Sequence, residues 1–289
     1  MAELQIYIDG EYYPESKAKV SVFDHGLLYG DGVFEGIRAY DGYAFKLDEH
    51  LTRLYESAKT IDLKIPLSKA KFKETILGTI RKNSLKDAYV RVVVTRGRGD
   101  LGLDPRRCSK ATVIIIAGYI PPLFDEVNAT AIIASTRRNA VTALNPMVKS
   151  LNYMNNILAK IEANRAKADE AIMLNQSGTV SEGTGDNIFI VKDGKILTPP
   201  PTAAILVGIT RMIAIQLAKE EGIEVIEREI TVHELICADE AFMTGTAAEI
   251  APLTEVNGKK IGNGKPGSIT LKLVEKFKKI RKTGTPIYK

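Results

Sequence analysis

Lys149 follows Val148 and stands two residues before Leu151. A lysine among apolar neighbours forms a Schiff base with a carbonyl compound once burial or a nearby cation lowers its pKa. The plainer reading is a solvated lysine, one of 40 Lys and Arg. Glu182 lies in Val180-Ser181-Glu182-Gly183-Thr184-Gly185, whose small residues let backbone approach a ligand closely. Fixed there, a carboxylate can accept a hydrogen bond from a cationic heterocycle; otherwise it is an ordinary turn carboxylate. Val207-Gly208-Ile209-Thr210 leads into a pattern with Ile213, Leu217 and Ala218, so the N–H groups at Ile209 and Thr210 are placed for a phosphate, or simply open a helix after a flexible Gly208. Gly245-Thr246-Ala247-Ala248 follows the apolar run Ala241-Phe242-Met243 and offers donors at a strand end, or a turn and nothing more.

Two further positions depend on their surroundings. Arg53 falls opposite the apolar stripe of its segment, which makes exposure its default and phosphate binding its role in a buried cleft. Tyr89 and Arg91 flank Val90, so period-two alternation puts both on one strand face.

These residues need elements to hold them. Leu4 to Ile8 alternates before the Asp9-Gly10 turn, predicting a hairpin. Asp48 introduces a helical pattern with Leu47, Leu51, Leu54, Ala58 and Ile61, and Ser68 caps a second helix containing Phe72, Ile76 and Ile80. Ala88 to Thr95 and Ala111 to Ala117 are Val- and Ile-rich strands. Pro121-Pro122 interrupts the pattern and suits a connector. Beyond it come strands at 129–135 and 170–174, a helix at 155–168, and a hairpin at Asp193-Gly194. A helix at 209–221, strands at 223–229 and 240–244, a hairpin at Asn257-Gly258 and a closing helix at 268–280 complete the chain. Strands and helices do not alternate in βαβ units, which predicts mixed or antiparallel sheets with helices outside. The expected domains are 1–119, a linker at 120–128, and a larger domain at 129–289.

The composition fits this. Of 289 residues, 45% are hydrophobic and 26% charged, enough apolar material for a sizeable core and without the bias of a disordered chain. No apolar run reaches the roughly 18 residues of a membrane span, and the first residues lack a secretory signal, so a cytoplasmic protein is expected. Cys108 and Cys237 show no paired spacing, and His25, His50 and His233 stand without a metal-ligand cluster, so neither a disulfide framework nor a metal centre is expected. The net charge of +5 is dispersed, with its densest basic stretch at Lys276 to Lys282 read as a solvated helix face rather than a polyanion site, so no nucleic acid or membrane partner is expected.

Taken together, the segments resemble the class IV, fold type IV, pyridoxal-phosphate aminotransferases, in particular the branched-chain amino acid aminotransferases. The resemblance spans nearly the whole chain. It rests on Tyr29-Gly30-Asp31-Gly32-Val33-Phe34-Glu35-Gly36-Ile37-Arg38, His50-Leu51-Thr52-Arg53-Leu54 and Lys149-Ser150-Leu151-Asn152-Tyr153. It continues through Ser181 to Asn187, Gly208-Ile209-Thr210-Arg211 and Gly245-Thr246-Ala247-Ala248-Glu249-Ile250. Each piece is modest, but their order and spacing are specific.

The resemblance implies a two-domain mixed α/β (α+β) fold of the D-amino acid aminotransferase-like type and a pyridoxal 5'-phosphate cofactor. It implies that Lys149 anchors the cofactor as a Schiff base and carries the proton, that Glu182 bonds the pyridine nitrogen, and that Tyr153 reaches the ring's phenolic oxygen. Arg53, Gly208, Ile209, Thr210 and Thr246 would hold the phosphate. Tyr29, Phe34, Gly36, Tyr89, Arg91, Leu101, Leu103, Thr246 and Ala247 would line the substrate site, with Arg91 meeting glutamate's distal carboxylate and Tyr89 helping to hold the α-carboxylate. Leu101 and Leu103 sit on a loop that in this family crosses to a partner subunit, implying a homodimer with active sites near the subunit interface, or a higher oligomer. The implied reaction is transamination between L-branched-chain amino acids and 2-oxoglutarate in amino-acid biosynthesis.

D-amino acid transaminases and aminodeoxychorismate lyases share the fold. The former carry an Arg-x-His pair on the loop after Thr95-Arg96-Gly97, where this chain has Leu101-Gly102-Leu103, and two leucines would leave a desolvated carboxylate without a charge partner. The aromatic substrate of the lyases has no use for a Tyr-x-Arg glutamate trap. A non-enzymatic carrier would leave Lys149, Glu182 and Arg53 free to vary independently. One methylene shifts selectivity by only about 1–3 kcal/mol, so leucine, isoleucine and valine are not ranked by sequence.

Overall fold

In the computed structural model, which describes residues 3–121 and 128–288, the chain forms two units. The first comprises Met1–Pro121, Val148–Asn152 and Arg281–Lys289, and the second Pro122–Met147 and Tyr153–Ile280. Of the linker expected at 120–128, residues 122–127 lie outside the described residues. Residues 148–152 and 281–289, expected in the C-terminal domain, belong to the first unit because Ser150 bridges Val33 and Thr285–Pro286 pairs with Tyr43–Ala44.

In the first unit, Asp9 and Gly10 take positive φ, 53° and 114°, and turn β1 (Gln5–Ile8) onto β2 (Glu11–Pro14). A short helix, α1 (His25–Tyr29), precedes β3 (Gly32–Tyr40), β4 (Tyr43–Ala44), α2 (Leu47–Thr60), α3 (Lys69–Lys82), β5 (Ala88–Thr95) and β6 (Thr112–Gly118). The sheet runs Thr285–Pro286, β4, β3, β5, β6, β1, β2, with every pairing antiparallel. Ser68 caps α3 as expected, accepting from Lys71 N–H, and Asp48 lies inside α2 rather than ahead of it. The core of this unit joins Leu47, Leu51, Leu54 and Ala58 of α2 and Phe72, Ile76 and Ile80 of α3 to Val90, Val92 and Val94 of β5.

The second unit contains β7 (Ala129–Ile133), α4 (Met154–Arg165), β8 (Glu170–Leu174), β9 (Val180–Glu182), β10 (Asn187–Lys192) and β11 (Lys195–Thr198). It continues with α5 (Ile209–Glu220), β12 (Val225–Glu227), α6 (Val232–Ile236), β13 (Glu240–Gly245), β14 (Glu249–Val256), β15 (Lys259–Lys260) and α7 (Ser268–Ile280). The sheet is mixed, with β11 parallel to β12 and β7 parallel to both β14 and β8. Strand β9 pairs with β8 on one side and with β10 on the other, so β10, β13, β14, β7, β8 and β9 close a ring. At the seam Glu182 stands opposite Asn187. No helix among the described residues is long and apolar enough to cross a membrane.

Candidate active site

Lys149 is fixed through its backbone. Its carbonyl accepts from Phe34 N–H at 3.0 Å, its own N–H donates to Ser57 Oγ on α2 at 3.1 Å, and Leu151 N–H donates to Gly32 O at 2.9 Å. The side chain is therefore delivered from a segment laid along β3, and its Nζ lies 4.5 Å from the centroid of the Phe34 ring. The guanidinium of Arg91 lies 4.7 Å from the same centroid and donates to the Tyr89 hydroxyl at 3.1 Å. Tyr89 and Arg91 are both half-buried while Ala88, Val90 and Val92 are buried, the alternation expected for β5. A Cβ on Gly36 would lie 2.2 Å from the Tyr89 hydroxyl, so only glycine leaves that tyrosine its place. Tyr29 donates from its hydroxyl to Leu101 O, and Leu101 and Leu103 stand 71% and 78% exposed.

Arg53 departs from its expected exposure. Its side chain is 12% exposed because Glu35, buried in β3, takes its Nε at 2.7 Å and its Nη2 at 2.9 Å. His50 Nδ1–H donates to the same carboxylate at 2.8 Å. Burial alone would raise the Glu35 pKa, but Arg53 and His50 outweigh it by charge and hydrogen bonding and pull it down to about 2. Burial pushes the His50 imidazole below its ordinary value, against the attraction of Glu35.

A carboxylate depressed in the folded chain contributes stability above its unfolded value of 4.5, and that contribution is lost as pH falls toward about 2. Acidification across this window should therefore cost the parent about 3 kcal/mol more unfolding free energy than Glu35→Gln loses. Denaturant melts of both proteins at stepped pH check this; parallel acid profiles would remove Glu35 as the source.

In the second unit Glu182 is no turn residue. It ends β9, where pairing on both sides buries it to 4% exposure. Oε1 accepts from Arg138 Nε at 2.8 Å, and Oε2 from Leu206 N–H at 2.9 Å and Asn187 Nδ2 at 3.2 Å. Arg138 is held in turn by the side-chain oxygens of Asn155 and Asn156 at 3.0 and 3.2 Å. Asn187 links this cluster to the start of α5, since a Cβ on Gly208 would lie 2.2 Å from its Oδ1. Gly208 is the N-cap and supplies no side-chain cap, while Ile209 and Thr210 open the helix as buried residues. Tyr153 is half-buried at the N-cap of α4, and Thr246 and Ala247 are half-buried in the turn after β13.

Within its own unit, each set is suited to a distinct task. Lys149 brings a primary amine beside an aromatic face shared with a guanidinium, and Arg91 can pair with a carboxylate. Glu182 is an oriented acceptor, and the open N-terminus of α5 is suited to an anion. Sequence reasoning passed over Glu35, His50, Arg138 and Asn187 as functional residues.

Residues 32–256 match the family described as amino-transferase class IV. A chain of Methanocaldococcus jannaschii, provisionally named a branched-chain-amino-acid aminotransferase, is 59% identical over 99% of both chains. The branched-chain aminotransferase of Thermoproteus uzoniensis, solved with norvaline, superposes with a TM-score of 0.95 at 39% identity, covering 99% of this chain and 100% of that one. The branched-chain amino acid aminotransferase of Thermobaculum terrenum, solved in its PLP-bound holo form, superposes with a TM-score of 0.88 at 30% identity, covering 97% of this chain and 94% of that one.

Proposed function

Given that the chain belongs to the class IV aminotransferases, we propose that it exchanges amino groups between L-branched-chain amino acids and 2-oxoglutarate, giving branched-chain 2-oxo acids and L-glutamate. Its cofactor is pyridoxal 5'-phosphate, and the donor set fits that group: an amine, a buried carboxylate with three fixed donors, and a helix start whose N-cap offers no side chain. When bound, the cofactor supplies an electron sink for the charge that develops at the substrate's Cα.

Lys149 holds the cofactor through Nζ and moves the proton to and from that Cα. Glu182 accepts from the pyridine N–H, oriented by Arg138, Asn187 and Leu206 N–H. Tyr153 hydrogen-bonds the phenolic oxygen. Arg53, whose Nε and Nη2 donate to Glu35, the N–H groups of Ile209 and Thr210, and the hydroxyl of Thr246 are each donors suited to phosphate. Phe34, Gly36, Tyr29 and Ala247 line the substrate site. Leu101 and Leu103, exposed on a single chain, support a homodimer in which this loop meets the partner.

The observation that carries the substrate reading is the shared Phe34 ring, with Lys149 Nζ and the Arg91 guanidinium both against it. A cation beside the reacting amine suits glutamate's distal carboxylate and is idle with leucine. Arg91→Leu should lower the glutamate half-reaction about 100-fold, since a half-buried carboxylate losing its partner costs about 3 kcal/mol. The leucine half-reaction should change only a few-fold. Single-turnover kinetics separate the two, and equal losses would reassign Arg91 to the fold or the α-carboxylate.

A further inference from the structure

His25 is 1% exposed and takes no part in the chemistry proposed for Lys149 and Glu182. It opens α1, and Tyr29 closes that helix four residues later, so the two rings share one helix face. They meet edge to face, with centroids 5.0 Å apart and planes at 88°. Each ring reaches one carbonyl of the loop after β5. His25 Nε2 lies 2.9 Å from Asp100 O, and the Tyr29 hydroxyl donates to the next carbonyl along, Leu101 O. A carbonyl only accepts, so Nε2 carries the hydrogen of the first bond.

Other bonds bring the loop and the helix together. The Thr95 hydroxyl, at the end of β5, donates to Asp24 Oδ2 at 2.9 Å, while Asp24 Oδ1 accepts from Gly26 N–H at 2.7 Å and so caps α1. His25 N–H donates to Gly97 O at 3.0 Å, and Gly99 N–H donates to Phe23 O at 3.1 Å. At Asp100 and Leu101 the partners are the two rings. Gly99 lets the loop lie on the imidazole, since a Cβ there would be 2.5 Å from His25 Nε2 and 2.6 Å from Cys108 Sγ. The stretch held in this way is the one that presents Leu101 and Leu103.

We propose that His25 is a positioning residue, which fixes Asp100 through Nε2 and Leu101 through the Tyr29 ring and thereby sets the preference for a large apolar side chain over a small one. The consequence for substrate rests on the placing of Tyr29, Leu101 and Leu103 in the substrate site given above; the consequence for the loop does not. Without the Nε2 donor, Asp100 O turns to water, and the Tyr29 ring loses the edge it packs against. The wall these residues form then shifts. Leucine's side chain is long enough to meet that wall and alanine's is not. Lys149 keeps its bonds to Phe34 and Ser57, so selectivity should change while the chemistry does not.

His25→Asn shortens the side chain so that its amide falls short of Asp100 O, whereas the longer amide of His25→Gln reaches the place of Nε2. In the full-length enzyme with pyridoxal 5'-phosphate, His25→Asn should lower the preference for L-leucine over L-alanine about tenfold in kcat/KM, through the KM for leucine, with kcat on alanine little changed. His25→Gln should restore most of it. A second measurement needs no activity: trypsin should cut after the exposed Arg98, Arg106 or Arg107 several-fold faster in His25→Asn than in the parent or His25→Gln. Gly99→Ala, which forces a methyl against the imidazole from the loop side, should give the same pair of changes and replaces His25→Asn if that variant does not fold. Leucine and alanine falling together, unchanged cutting, or a glutamine variant no better than the asparagine one overturns the proposal. A parent that transfers no amino group from L-leucine sinks the functional reading instead, and the cutting rates alone then decide the role of His25.

Discussion

Lys149→Ala is expected to lower amino-group exchange by at least about four orders of magnitude, because in its proposed role one atom, Nζ, is both covalent anchor and proton carrier. The fold should survive. What ties this segment to β3 and α2 is backbone: Lys149 N–H to Ser57 and Lys149 O from Phe34, and alanine keeps both. Unfolding should therefore shift little while the visible absorption of lysine-bound cofactor disappears. Borohydride reduction of the parent followed by peptide mapping is the direct check, and cofactor found on any other lysine would overturn the whole site assignment.

Glu182→Gln should separate binding from chemistry. An amide no longer favours a protonated pyridine nitrogen, and the electron sink weakens, so turnover of L-leucine should fall about a thousand-fold while cofactor is retained. The structure adds a second effect. Both carboxylate oxygens of Glu182 are occupied by donors, so the glutamine NH2 must face Arg138, Asn187 or Leu206 N–H, and the buried Arg138 guanidinium loses its charge partner. A stability loss of about 3 kcal/mol should accompany the kinetic one. Turnover normalised to bound cofactor distinguishes them, and a near-parental normalised rate would return Glu182 to a purely structural role.

Legibility in the sequence followed periodicity. Strand β5 alternates buried and half-buried positions, so Tyr89 and Arg91 could be put on one face from spacing alone, and the amphipathic run after Gly208 marked the start of α5. Strand β3 offered no such signal. All nine of its residues are buried, charged Glu35 and Arg38 among them, and a strand covered on both faces loses its alternation. Glu35 thus carries no sign of a partner in the sequence, and Arg53, reached by Glu35 across elements, reads as exposed from its helix face. His50 shows no metal-ligand cluster in the sequence and no sign of its partner, a carboxylate 15 residues earlier. Arg138 follows Arg137 in a segment without regular structure, where nothing local marks which of the two turns inward to Glu182. The family resemblance supplied Lys149 and Glu182; the residues that orient Glu182 and Arg53 came from packing.

The chain leaves the second unit at Val148, adds Val148–Asn152 to the first, and returns at Tyr153. Lys149 is pinned to a serine 92 residues earlier in the sequence. Closing a loop of that length costs about 4 kcal/mol of chain entropy before a single contact repays it. Order of assembly follows from this. On a ribosome, β3, β5 and β6 can pair while the passage that carries the amine is still unmade, and the sheet must wait for it. A half-synthesised chain thus has most of the first unit's sheet but not Lys149, whose amine reaches its place only late in assembly.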